Sequence, residues 1–169
     1  MASNSHQSTP SLILASTSIH RKKILDQVGL SYEALAPTVD EREVEKDFSQ
    51  PIEQLAEFLS LQKAQSIQKQ KVNSVIIGSD QVLIFNGKKL DKPKSLDEVH
   101  LRLAELQGQT HILSTGLCVL KGEKIWSTTV DAKMKMVPLT ETQSSDYAPR
   151  DQAVGCAGGY TFEQGGPIL

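Results

Sequence analysis

Cysteine is scarce in this chain: only Cys118 and Cys156 occur, and neither belongs to a CxxC pair or a metal-ligand spacing. A reducing compartment fits that usage. Long apolar runs are missing too, since no stretch approaches the roughly 20 residues of a membrane span. Met1 to Pro10 is polar rather than charged-then-apolar, unlike a secretory signal, so the protein is expected in the cytoplasm. There is no excess of charge of one sign: 18 Lys plus Arg stand against 20 Asp plus Glu. The net charge of -2 offers no field for nucleic acid or an anionic membrane, so any anion site must be local. Internal repeats and low-complexity tracts are absent.

What is present is ordinary for a folded protein, with 38% apolar and 22% charged residues. The 169 residues suffice for one substantial core, so 11–169 are expected as a single domain behind a disordered polar tail, 1–10.

The pattern along the chain alternates between strand and helix. Ser11-Leu-Ile-Leu-Ala15 is a short apolar run that reads as a buried strand. Ser16-Thr17-Ser18 supplies capping hydroxyls for a helix whose stripe is Ile24, Leu25 and Val28, ended by Gly29. Tyr32 to Ala36 reads as a strand, and the acidic Asp40 to Asp47 as a surface loop or lid. From Pro51, the residues Ile52, Leu55, Ala56, Leu59 and Ile67 recur at helical spacing. Val75-Ile-Ile-Gly78 reads as a doubly buried strand that stops at Ser79-Asp80-Gln81, with Val82 to Phe85 resuming before an Asn86-Gly87 turn. Ser95 and Glu98 form a capping box for a helix running to Gly108. Ile112 to Leu120 and Ile125 to Val137 predict a long hairpin about Lys121-Gly122-Glu123, and Thr140 to Tyr147 a partly helical segment.

Five constellations have chemical potential, each with a plainer reading beside it. Ser16, Thr17 and Ser18 with Arg21, Lys22 and Lys23 gather hydroxyls, free backbone N–H groups and cations at a strand-to-helix turn, which suits phosphate; without a Walker pattern it also reads as a capped helix with a basic first turn. Asp80 follows an apolar strand, near the end where open α/β sheets bind ligands, and could hold Mg²⁺ or activate water; a simple polar turn is the alternative. Lys63 lies four residues after Leu59, so its helix turns an ammonium toward the apolar stripe, where it needs an anionic partner unless its tip reaches water. Pro93 keeps Lys92 extended within Asp91-Lys92-Pro93-Lys94, a segment that equally reads as a basic loop. Asp40-Glu41 offers a carboxylate pair for a divalent cation, or a solvated acidic surface.

In order along the chain, Leu12-Ile-Leu-Ala-Ser-Thr-Ser18, Arg21, Val39-Asp40-Glu41, Lys63-Ala64, Ile77-Gly78-Ser79-Asp80-Gln81-Val82, Lys92-Pro93, Gly108-Gln-Thr-His111, Ser114-Thr115-Gly116 and Cys156-Ala-Gly158 closely resemble the Maf family. The resemblance runs from about Leu12 to the last residue. It implies the family's fold, an α/β, ITPase-like elongated mixed sheet with flanking helices and two lobes around a deep cleft. It also implies the family's activity: cleavage of a nucleoside triphosphate between its α- and β-phosphates, releasing pyrophosphate, with Mg²⁺ or Mn²⁺ and often as a homodimer.

On that resemblance Ser16, Ser18, Arg21 and Lys22 bind phosphates, and Gln81 joins them in holding substrate. Asp80, the catalytic centre, and Glu41 manage metal and water, while Lys63 and Lys92 neutralise developing charge. Ser79-Asp80-Gln81 and Cys156-Ala-Gly158 resemble the subgroup acting on 7-methyl-GTP more than the dTTP/UTP subgroup. The departures are Ile19 for Pro, Lys22 for a second Arg, which loses a bidentate phosphate contact, and Gln164 for Gly, where a positive φ would be strained. Pro167-Ile168-Leu169 ends the chain where family members continue through a strand and a helix, so those two elements are expected to be missing. The function expected is removal of non-standard nucleotides. Its rivals are a catalytically impaired nucleotide-binding protein that restrains septum formation, and phosphomonoester hydrolysis or nucleotidyl transfer on the same phosphate clamp.

Overall fold

The computed structural model describes residues 11–147 and 153–161; the expectations on residues 1–10, Gln164 and Pro167 to Leu169 lie outside them. Along the chain come β1 (Leu12–Ala15), α1 (Ile19–Gln27), β2 (Glu33–Leu35), α2 (Glu41–Lys46), a 3-10 turn (Ile52–Gln54) leading into α3 (Leu55–Gln68), β3 (Val75–Phe85) and β4 (Lys88–Leu90). They are followed by α4 (Leu96–Leu106), β5 (Thr110–Lys121), β6 (Lys124–Lys135) and α5 (Glu141–Tyr147). The strands form one mixed sheet in the order β2-β1-β3-β5-β6, with β4 paired to β3, so the expected mixed α/β sheet with helices is what the structure contains.

β1 lies parallel to both of its neighbours, with Ile13 opposite Glu33 and Ile76, and Ala15 opposite Leu35 and Gly78. Parallel neighbours need a crossover, which α1 supplies between β1 and β2. β3 and β4 are antiparallel, joined by Asn86-Gly87 with φ of 50° and 72°, the left-handed pair a tight hairpin turn requires.

The chain folds into two compact units. Among the described residues the first comprises 11–49, Glu57–Asp80 and Gly116–Thr128, and the second Gln50–Ala56, Gln81–Thr115, 129–147 and 153–161. The first has a core of Ile13, Ala15, Ala64, Ile67, Ile76, Cys118 and Leu120. The second is built around Leu83, Val99, Leu103, Leu106, Met136, Ala153, Ala157 and Tyr160. Each fully buried Leu or Ile among them contributes about 2 kcal/mol through removal of apolar surface from water.

Three local expectations are corrected. Asp40 to Asp47 is not a loop: the Asp40 carboxylate accepts from the backbone N–H groups of Arg42 (3.0 Å) and Glu43 (3.4 Å), and Glu41 and Glu43 sit in the first turn of α2, where negative charge favours a helix. Nor does Ser79-Asp80-Gln81 break the strand, because β3 runs unbroken through it for 11 residues. Asp80 therefore lies in mid-strand, and the polar-turn reading falls. Lastly, the α1 stripe is not core: Ile24 and Val28 are 58% and 64% exposed. This helix is fastened by its polar first turn, through Ser18 and Arg21, instead of by a buried apolar face.

Candidate functional site

The first unit gathers its polar chemistry where the turn after β1 meets α1, α2, α3 and β3. β1 runs into Ser16, a buried hydroxyl that accepts from the backbone N–H of Ser18 (3.1 Å) and from Arg21 Nη1 (3.2 Å). Its own O–H remains a donor, which is the orientation a phosphate oxygen needs. Ser18 caps α1 by accepting from the backbone N–H of Arg21 at 3.5 Å, the strand-to-helix turn anticipated from the sequence. Lys22 follows in the same turn, half-buried, and its carbonyl accepts from the Tyr32 hydroxyl at 3.2 Å.

Asp80 is 2% exposed and Lys63 4%, on a strand and a helix brought together by one glycine. A Cβ at Gly78 would stand 2.1 Å from the Ser60 carbonyl oxygen and 3.0 Å from Ala64 Cβ, so α3 packs against β3 at a distance only glycine permits. That approach delivers the Lys63 ammonium to Asp80 Oδ1, to which it donates a hydrogen bond. The same ammonium reaches Glu41 Oε1 at 2.9 Å. Arg21 Nη2 stands 3.9 Å from Asp80 Oδ1. The reading of Lys63 as a buried cation in need of an anion is thus met by two carboxylates, and its tip does not escape into water.

Burial pulls the Arg21 guanidinium below its ordinary pKa, and Asp80 and Glu41 push it back up. Two carboxylates and two cations satisfy one another here; removing Asp80 would strand the buried Lys63 ammonium, which costs far more than losing a surface ion pair. The supposed Asp40-Glu41 pair is divided by the structure. Asp40 spends its side chain on the helix N-terminus, and only Glu41 joins Lys63.

The remaining two nominated residues belong to the second unit. Gln81 donates through Nε2 to Thr115 Oγ1 at 3.0 Å, and Thr115 belongs to the Ser114-Thr115-Gly116 motif, to which the sequence attached no role. Lys92 is exposed on the segment before α4, while its neighbour Pro93 is buried and its carbonyl accepts from the backbone N–H of Gly155 at 2.8 Å. The buried residue that sequence reasoning most undervalued here is His111, 1% exposed, with Nε2 2.7 Å from the Tyr160 hydroxyl. Its signal was the Gly108-Gln-Thr-His111 motif of the family resemblance, to which no role was attached.

Among the described residues no trio of His, Cys, Asp or Glu is placed to hold a metal ion by itself. What does exist is a pair of carboxylate oxygens, on Asp80 and Glu41, converging on one ammonium. That donor set fits Mg²⁺ or Mn²⁺, which take one or two carboxylates and fill the remaining positions with water and substrate phosphates. No helix among the described residues is long and apolar enough to cross a membrane.

Residues 11–169 match the family model described as "Maf-like protein". Over 158 residues the chain is 39% identical to a 7-methyl-GTP pyrophosphatase of Bdellovibrio bacteriovorus, covering 94% of this chain and 82% of that one. A 7-methyl-GTP pyrophosphatase of Nitrosococcus oceani is 36% identical, with 91% and 77% covered. A dTTP/UTP pyrophosphatase of Symbiobacterium thermophilum is 31% identical over 152 residues, with 90% and 77% covered.

Proposed function

Since the chain belongs to the Maf family, we propose that it is a nucleoside triphosphate pyrophosphatase that clears non-canonical nucleotides by cutting them to monophosphate and pyrophosphate. The observation that carries this reading is the Asp80–Lys63–Glu41 cluster, with Asp80 and Lys63 buried, beside the Ser16–Arg21 turn. Two carboxylates, two cations and the Ser16 hydroxyl meet there, groups suited to holding phosphate and activating water.

In this reading the turn holds the phosphates: Ser16 donates its hydroxyl, the exposed start of α1 offers N–H groups, and Arg21 and Lys22 supply charge. Asp80 orients the attacking water and takes its proton as the water oxygen bonds to the α-phosphorus and the bond to the bridging oxygen breaks. Lys63 stabilises the negative charge that accumulates on the departing pyrophosphate. A divalent cation, Mg²⁺ or Mn²⁺, would be held by Asp80 and Glu41 and would add Lewis-acid neutralisation of the anhydride.

Similarity to 7-methyl-GTP pyrophosphatases, together with Ser79-Asp80-Gln81, supports 7-methylguanine as the preferred base. The resemblance also carries the finer reading of a cytoplasmic homodimer, which sedimentation of the purified protein tests. To test the activity, the protein is incubated with Mg²⁺ and a panel including 7-methyl-GTP, dTTP and UTP, and products are separated by chromatography. Asp80→Asn is expected to lower turnover by roughly 10³-fold, assayed below the reduced thermal midpoint that loss of Lys63's buried counter-charge brings. Release of orthophosphate, or full activity in the variant, would refute the assignment.

A further inference from the structure

The two carboxylate oxygens best suited to a divalent cation are already in contact with a cation of the chain itself. Lys63 Nζ touches Asp80 Oδ1 and stands 2.9 Å from Glu41 Oε1, at a residue 4% exposed. With Arg21 3.9 Å from Asp80, two negative and two positive side chains sum to zero formal charge. A free Mg²⁺ or Mn²⁺ entering this neutral, largely buried group would leave it at a charge of two, and would have to take from Lys63 the oxygens that satisfy it. An exposed ammonium could swing into water, but a buried one cannot leave without another anion.

We propose that Lys63 is the resident counter-cation of the Asp80–Glu41 pair, and that the divalent cation is admitted only together with the nucleotide, whose phosphates take over Lys63. The proposal rests on the pyrophosphatase reading and deepens it by fixing the order of binding. Three negative groups or more arrive with a triphosphate, enough to balance the metal and give the displaced ammonium a new partner. Lys63 is thereby a selectivity device: without phosphate it competes with the metal, and with phosphate it cooperates. Such coupling is reciprocal, so metal and nucleotide must raise each other's affinity by the same factor.

Free Mn²⁺ is counted by electron paramagnetic resonance in titrations of the full-length protein, with and without an α,β-methylene nucleoside triphosphate that cannot be cut. The analogue is expected to tighten Mn²⁺ binding to the wild type by at least tenfold over the value expected from Mn²⁺ binding to the analogue alone. Lys63→Met is expected to bind Mn²⁺ at least tenfold more tightly than wild type when no nucleotide is present, and to lose most of the coupling. Equal Mn²⁺ affinity of the wild type with and without the analogue, or weaker Mn²⁺ binding by a folded Lys63→Met, would overturn the proposal. The wild-type arm decides the matter even if the variant does not fold. Pyrophosphate release, followed separately, tells the two ideas apart: hydrolysis with tight binding of free Mn²⁺ sinks only the binding order. Absence of hydrolysis with tighter Mn²⁺ binding by Lys63→Met sinks only the function.

Discussion

Both units bury polar groups, but they do so by opposite means. The first satisfies ions with ions: Asp80 and Lys63 are buried, and the partly exposed Glu41 and Arg21 complete the group between a strand and three helices. The second buries neutral groups in an apolar core, where His111 meets Tyr160 at 2.7 Å and their rings pack edge to face. An ionic interior is sensitive to loss of any one member, since the partner charges remain behind. A neutral interior is sensitive to anything that creates a charge. The first unit should therefore respond most sharply to geometry, and the second to pH.

The largest effect is expected where geometry holds the charges in place. Gly78→Ala puts a methyl 2.1 Å from the Ser60 carbonyl oxygen and must push α3 away from β3, separating Lys63 from Asp80. A loss of about 3 kcal/mol of unfolding free energy is expected from such overpacking, measured by urea denaturation, together with loss of pyrophosphate release. An unaltered midpoint would show that the quartet does not depend on this close approach.

A smaller effect separates the neutral interior from the ionic one. Burial, helped by Arg102, holds His111 below its ordinary value of 6.5, and burial pushes the Tyr160 hydroxyl up to about 12, so both stay neutral near pH 7. His111 Nδ1 is buried with no hydrogen-bond partner, so the imidazolium would gain a donor with nowhere to donate. The sign follows: below pH 6.5 the unfolded chain takes up this proton more readily than the folded one, and stability falls as pH falls toward the depressed folded value. Above pH 6.5 the contribution is complete. Denaturation midpoints of wild type and His111→Gln between pH 5 and pH 8 (~) should converge in slope only if another group dominates; a flatter acid limb in the variant is expected.

The smallest effect marks a position outside both interiors. Ser95 Oγ accepts from the Glu98 N–H at 3.2 Å, and Glu98 Oε2 accepts from the backbone N–H of Lys94 at 2.7 Å, closing the start of α4. Ser95→Ala is expected to cost about 1 kcal/mol in urea denaturation and to leave pyrophosphate release unchanged.

Much of this was legible because it is local. Ser18 and Ser95 announce helix starts within four residues, Asn86-Gly87 announces a hairpin, and the spacing of Lys63 from Leu59 places an ammonium on the apolar side of its helix. Where an acidic stretch could be a solvated loop or the first turn of a helix, local signals were ambiguous, and Asp40 to Asp47 was misread because the deciding hydrogen bonds are those of one capping carboxylate. The exposed face of α1 and the unbroken course of β3 were misread for a different reason: periodicity records which residues are apolar, not what packs on them.

By itself the sequence determined the alternation of strands and helices, the caps and turns between them, the Ser-capped turn at Ser16 to Arg21 and, through its ordered motifs, membership of the Maf family. Those properties depend on hydrogen bonds and side-chain periods spanning a few residues. Only the tertiary structure decided that Lys63 would meet Asp80 and Glu41 together, that Asp40 would leave that group for a helix cap, and that His111 would find Tyr160. Each of those outcomes, the cap apart, joins residues far apart in the chain, and a charge or a ring carries no local mark of the partner that packing will bring to it.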